Sequence, residues 1–102
     1  MNDIIRQRQQ DIAAICRRHR VRRLDVFGSA ASGRFDPSRS DVDFVVEFED
    51  MAPEDYAEAW FGLQRDLEEL LGRSVDLVTY KYIKNPYFRE SVDQTRVNLY
   101  AA

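Results

Sequence analysis

Three aspartates in this chain have the types and spacing to hold metal ions for phosphoryl transfer. Asp41 and Asp43 stand two residues apart at the start of the apolar stretch DVDFVVEF. Side chains two apart on a strand share a face, so these carboxylates would lie close together and repel each other. A divalent cation removes that repulsion, and oxygen-only ligands favour Mg²⁺ or Mn²⁺ over zinc.

Asp76 is the candidate for a third carboxylate. It lies in SVDLVTY, where Val75 and Leu77 on either side would face the opposite way. If this strand pairs with the one that begins at Asp41, Asp76 joins the cluster. Three carboxylates on one sheet face can hold two metal ions for in-line phosphoryl transfer.

A small-residue turn precedes these strands and could hold the phosphates. Gly28 allows the backbone to approach a ligand closely, and Ser29 offers a hydroxyl and an N–H. If a helical turn begins there, its N-terminus favours phosphate. The sequence therefore predicts a polyphosphate between the Gly28–Ser29 turn and metal held by Asp41 and Asp43.

The surrounding pattern predicts the elements that would position these residues. A helix from Asn2 or Asp3 to near Arg20 is followed by strands at residues 21–27, 41–48 and 74–80. Helical spacing and end signals place a long helix between Pro53 and Gly72 and a last helix capped by Asn85. Three residues mark the inner face of that last helix: Phe88, Val92 and Leu99. We expect a sheet covered on one face by helices, with the aspartates on the other.

Composition limits the class of protein. The 102 residues are 44% hydrophobic, which suits one folded domain over residues 1–102. The longest apolar run is Ile12 to Cys16, too short to span a membrane, and a lone cysteine excludes an intramolecular disulfide. These features predict a soluble, cytoplasmic protein without a membrane partner.

Charge is unevenly distributed. Residues 1–39 hold nine basic and four acidic residues, whereas residues 40–102 hold six and fourteen. The densest basic run is RRHRVRR, Arg17 to Arg23, which we interpret first as a solvated helix end. Binding of a polyphosphate, an acidic partner or RNA is the alternative.

The combined motif resembles a known family. FGSAASGRFDPSRSDVDFVVEF followed by LLGRSVDLVTYKYIKNPYFRESV is similar to the minimal nucleotidyltransferases of the DNA polymerase beta superfamily. Gly28 and Ser29 match the Gly-Ser start, Asp41 and Asp43 match the Asp-x-Asp pair, and Asp76 matches the later carboxylate. The family often continues with Ala-Arg-Gly; here Ser32 stands at the position of that Arg, and Arg34 is close by.

The resemblance implies an α+β fold, a small mixed β-sheet with helices packed on one face. It implies that ATP is the substrate and that two Mg²⁺ ions bind at Asp41, Asp43 and Asp76, with Asp76 also activating the acceptor hydroxyl. Three residues would bind the nucleotide: Gly28, Ser29 and Arg34. Free-standing members of this size are typically antitoxins that adenylylate a tyrosine on a partner HEPN-domain ribonuclease toxin, so the resemblance implies a hetero-oligomer with that toxin and no stable nucleic-acid partner.

Two alternatives remain open from the sequence. The chain could neutralise its toxin by contact alone, or it could transfer a nucleotide to RNA or a small molecule. The stretch YKYIKNPYFRE is rich in aromatic residues, which fit either a core edge or a partner-docking patch. Trp60, His19 and Cys16 are interpreted as structural.

Overall fold

A computed structural model of the chain describes residues 3–32 and 41–102, leaving out the side chain of Ser32. The predicted nucleotide-binding residue Arg34 lies outside the described residues, as does the side chain at the position of the family Arg. The described elements are α1 (Asp3–Gln7), α2 (Gln9–Arg18), β1 (Val21–Phe27), α3 (Ser29–Ser32), β2 (Val42–Phe48), α4 (Pro53–Leu71), β3 (Val75–Thr79), a 3-10 turn (Tyr80–Tyr82), α5 (Pro86–Thr95) and β4 (Val97–Ala101).

The four strands form one mixed sheet in the order β3-β2-β1-β4. β1 is antiparallel to both β2 and β4, whereas β2 and β3 run parallel. A parallel pair needs a crossover connection, and α4 supplies it. The predicted α+β fold with a small mixed sheet is therefore confirmed.

The main core lies between one face of the sheet and helices α1, α2 and α4. Alternation along β2 turns its even-numbered apolar residues into this core, and the helices contribute one stripe each. The buried side chains include Ile5, Ile12, Ile15, Cys16, Leu24, Val26, Val42, Phe44, Val46, Leu63, Leu67 and Leu71. Pro53 begins α4 and Gly72, at φ 66°, ends it in the left-handed conformation, as the sequence predicted.

The C-terminal region differs from the prediction. Helix α5 ends at Thr95, and Leu99 is buried in β4, so its placement on the last helix is wrong. Val92 does face inward, but it packs on the second sheet face with Phe27, Val45 and Ile83. Helices α2 and α4 thus cover one face, and α5 adds a smaller core on part of the face that carries the aspartates.

A buried ion-pair network fastens the end of α5 to the sheet. The Asp25 side chain is fully buried and bonds Arg23 at 3.0 Å, Asn98 at 2.8 Å and Arg96. Arg96 also reaches Glu47 at 3.3 Å. Burial acts to raise the pKa of Asp25, but hydrogen bonds from Arg23, Asn98 and Arg96 outweigh it and hold the pKa below its usual value.

Among the helices of the described residues, none is long and apolar enough to cross a membrane.

Candidate active site

Parallel pairing of β2 with β3 brings two of the predicted aspartates side by side. Asp43 and Asp76 are register partners, and both face away from the main core. The sequence predicts that Asp76 joins the cluster only if these two strands pair, and they do. Asp41 lies exposed immediately before β2, and its charge acts on Asp43.

The electrostatics of Asp43 and Asp76 favour binding of a cation by the two carboxylates. Burial, and then the charge and hydrogen bond of Asp76 and the charge of Asp41, raise the pKa of Asp43 to about 6. Ionisation of Asp43 beside the other carboxylates therefore costs free energy when no cation is present. A divalent cation bound here would offset that cost.

The Gly28 turn lies directly against the Asp43 carboxylate. Gly28 follows Phe27, which pairs with Asp43 across β1 and β2, and it takes the left-handed φ of 69°. A Cβ atom built on Gly28 would lie 2.9 Å from Asp43 Oδ2. Any other residue at position 28 would therefore displace the Asp43 carboxylate. Ser29, which is half-buried, begins α3.

Thr95, which the sequence did not single out, holds this turn from α5. The Gly28 N–H donates to Thr95 Oγ1 at 3.1 Å. Thr95 Oγ1 in turn donates to the Ser91 carbonyl at 2.9 Å, so its one hydrogen is used and a lone pair faces Gly28. The two partners are 67 residues apart, and no local motif marks Thr95 as a contact of the turn.

A cavity of about 370 Å³ opens beside the aspartate pair. Its lining combines the two carboxylates with aromatic rings and one amide: Phe27, Asp43, Trp60, Gln64, Asp76, Leu77, Val78 and Phe88. Trp60 packs partly on the main core, as interpreted, yet also borders this cavity. Phe88, predicted to face inward, is 39% exposed.

The carboxylates suit an oxygen-preferring divalent cation such as Mg²⁺. Asp43 and Asp76 are in contact, and the negative charge of Asp41 acts on Asp43. Within the described ranges, no three His, Cys, Asp or Glu residues are drawn together closely enough to form a complete metal site. Asp43 and Asp76, with the charge of Asp41 close by, would hold such a cation.

The basic run Arg17 to Arg23 is largely paired within the chain. Arg18 bonds Asp66 at 3.1 Å, Arg20 lies 3.7 Å from Glu49, and Arg23 is part of the Asp25 network. This pairing fits the interpretation of the run as a helix end better than binding of RNA.

Two of the three residues interpreted as structural, His19 and Cys16, have structural surroundings. His19 Nε2 lies 2.6 Å from Asp66 Oδ2. Cys16 is fully buried in the main core, which raises the pKa of its thiol to about 12 and makes the thiolate scarce.

Comparison with known proteins identifies the family. The model of the nucleotidyltransferase domain matches residues 10–98. The chain belongs to this family. This match spans the whole predicted motif. The resemblance inferred from the sequence and the enzyme class are therefore both confirmed.

Two relatives from one organism resemble this nucleotidyltransferase over most of its length. Methanocaldococcus jannaschii MJ1379 is 36% identical over 77 residues, covering 76% of this chain and 75% of its own. MJ0128 from the same organism is 34% identical over 94 residues, covering 92% and 89%. Both carry the provisional name protein adenylyltransferase.

Solved structures share the fold. One described provisionally as a minimal nucleotidyltransferase is 33% identical, with a TM-score of 0.69 and 95% coverage of both chains. A toxin–antitoxin complex with AMP-PNP gives a TM-score of 0.71 at 22% identity, covering 92% of this chain and 73% of that one. An MNT antitoxin complex with a tri-AMPylated Shewanella oneidensis HEPN toxin gives 0.66 at 19% identity, covering 95% and 72%.

Proposed function

We propose that this nucleotidyltransferase is an antitoxin that transfers AMP from ATP to a tyrosine of a partner HEPN ribonuclease toxin. The observation that carries the proposal is the facing of Asp43 and Asp76, with the Gly28 turn against Asp43. Relatives named as protein adenylyltransferases support the reaction, and the toxin–antitoxin complexes of the same fold support the partner. The protein would act in the cytoplasm, in a hetero-oligomer with the toxin.

The aspartates would divide the chemistry between them. Asp41 and Asp43 would hold two Mg²⁺ ions, which when bound neutralise charge on the triphosphate. Asp76 would help to hold the catalytic ion and would take the proton of the acceptor hydroxyl. The acceptor oxygen then bonds to the α-phosphorus of ATP, the bond to pyrophosphate breaks, and pyrophosphate leaves.

The turn would bind the leaving phosphates. Gly28 brings the backbone close to the Asp43 carboxylate, and Ser29 follows at the start of α3 with its hydroxyl and N–H. Arg34, a few residues on, would add a positive charge toward the triphosphate. The aromatic-lined cavity beside Asp43 and Asp76 leaves space for the acceptor to approach.

The test is the intact mass of the partner. We would co-express the chain with the protein encoded next to it, using the parent sequence and Asp41→Asn/Asp43→Asn. Asp50→Asn is the matched control, because the Asp50 side chain is fully exposed. We expect the partner to gain whole AMP units with the parent and the control and none with the double variant.

A different result would change the assignment. An unmodified partner held in a tight complex by the parent and by the double variant would sink the transfer reaction and leave an antitoxin that acts by contact alone.

A further inference from the structure

The outer edge of β3 is one border of the sheet, and it begins beside the aspartate pair. Val42 N–H donates to the Ser74 carbonyl at 3.1 Å, so Ser74, Asp76 and Val78 direct their backbone groups toward β2. In a parallel ladder successive residues alternate direction. Val75, Leu77 and Thr79 therefore direct their N–H and C=O groups outward.

Side chains of α4 confirm this direction and close the first part of the edge. Val75 N–H donates to Glu68 Oε2 at 3.0 Å, and Gln64 Nε2 donates to the Val75 carbonyl at 3.2 Å. Beyond Val75, no side chain of the described residues bonds the Leu77 N–H, the Leu77 C=O or the Thr79 N–H. These three groups form a short open edge, which is a template for another strand.

Two cavities lie along this open edge and meet at it. The cavity of about 370 Å³ that contains Asp43 and Asp76 shares Leu77, Val78 and Phe88 with a second cavity of about 340 Å³. The second cavity continues past Thr79 to four further residues: Tyr82, Ile83, Lys84 and Asn85. We call these two cavities, taken together along Leu77–Thr79, the β3 trough.

The lining of the β3 trough indicates what could fill it. Phe88 and Tyr82, 39% and 60% exposed, offer ring surface to apolar side chains. The charges at its two ends are opposite, with Asp43 and Asp76 at one end and Lys84 at the other. An extended polypeptide complements such a surface, because its backbone pairs with the edge and alternate side chains meet the walls.

We propose that an extended segment of the acceptor protein adds to β3 at Leu77 and Thr79 as a fifth strand. The segment carries its hydroxyl residue beside Asp76, an apolar residue against Phe88, and an acidic residue near Lys84. This inference rests on the proposed protein acceptor and names the means of its recognition. Backbone pairing would fix where the acceptor hydroxyl lies relative to Asp43 and Asp76. The acceptor would then need no long sequence motif to be recognised.

Thr79 provides a test that leaves the aspartates untouched. Thr79 is extended, at φ −92° and ψ 121°, on an edge strand where proline is tolerated, and its outward N–H takes no part in the ladder with β2. Thr79→Pro removes that N–H, whereas the control Thr79→Val removes the same hydroxyl and keeps the N–H. With the product of the adjacent gene as acceptor, we expect Thr79→Pro to raise the acceptor KM about tenfold and to leave the KM for ATP unchanged.

Amide hydrogen exchange of the unmodified chain gives a second, substitution-free measurement. With the same partner bound, the Leu77 and Thr79 amides should become protected, while the amide of Glu90, which is bonded within α5, should not change. Equal acceptor KM values for the two Thr79 variants, or unprotected Leu77 and Thr79 amides in the complex, would overturn strand addition.

The two proposals fail in different ways. A partner that gains AMP from the parent while the two amides stay unprotected refutes only the strand addition. A partner that protects the amides but gains no nucleotide refutes the transfer reaction and leaves the docking edge established.

Discussion

Replacing Gly28 by alanine tests whether the turn positions the Asp43 carboxylate. The new Cβ would lie 2.9 Å from Asp43 Oδ2, whereas ordinary contacts of this kind begin at 3.4 Å. Gly28 cannot easily retreat, because its N–H is bonded to Thr95 at 3.1 Å. The Asp43 carboxylate must therefore move by about half an ångström from its present position beside Asp76.

The size of the effect follows from that movement. A misplacement of about 1 Å in a catalytic group can cost about a hundredfold, so half that distance predicts a loss of about tenfold in kcat/KM. Separately, alanine at a φ of 69° pays about 1 kcal/mol for the left-handed conformation, which lowers the free energy of unfolding.

Gly72 allows the two effects to be separated. Its φ of 66° carries the same conformational cost, but a Cβ atom there would meet nothing within 4 Å. Gly28→Ala and Gly72→Ala should lose similar stability in urea unfolding, and only Gly28→Ala should lose nucleotide transfer to the partner. Equal activity in the two variants would refute the reasoning that contact with Asp43 fixes the turn as glycine.

Two further predictions concern the same group of residues. Because the pKa of Asp43 is raised to about 6, its stabilising protonated form is fully present below its ordinary value of 3.8 and is lost as the pH rises through about 6. Without metal, Asp43→Asn should therefore melt above the parent at neutral pH and equal it at acid pH, and added Mg²⁺ should raise the melting temperature of the parent alone. Thr95→Val leaves the Gly28 N–H without its acceptor, so it should cost about 1 kcal/mol in urea unfolding and lower kcat, while Thr95→Ser retains both. Equal kcat values for the valine and serine variants would contradict the positioning of the turn by Thr95.

The first three strands and the long helix could be predicted because their signals are local. Alternation from Asp41 to Phe48 predicts the strand that the structure has from Val42 to Phe48, and Pro53 and Gly72 mark the ends of α4. The same alternation predicts that Asp43 faces away from the main core, as it does. Its meeting with Asp76 needed only the pairing of β2 with β3, which the βαβ order of elements favours.

The last strand and the contacts of Thr95 could not be predicted in this way. Val92 and Leu99 are seven residues apart, which also fits one face of a helix, and only pairing with β1 makes Val97–Ala101 a strand. Thr95 is recognised only by a contact across 67 residues, which depends on the completed sheet. Residue type suggested the functions proposed for the aspartates, but nothing local suggested the group that holds the turn.

The ion pair of Asp25 with Arg96 also affects how the protein folds. Its partners are 71 residues apart, and closing a loop of that length costs about 4 kcal/mol of chain entropy before any contact repays it. Contacts between distant residues are characteristically slow to form, so we expect the Gly28 turn to be fixed late, after the β2-α4-β3 unit. Contacts made after the transition state mainly control the unfolding rate. The Asp25–Arg96 pair would then act as a latch that sets the lifetime of the folded active site more than the speed at which it is reached.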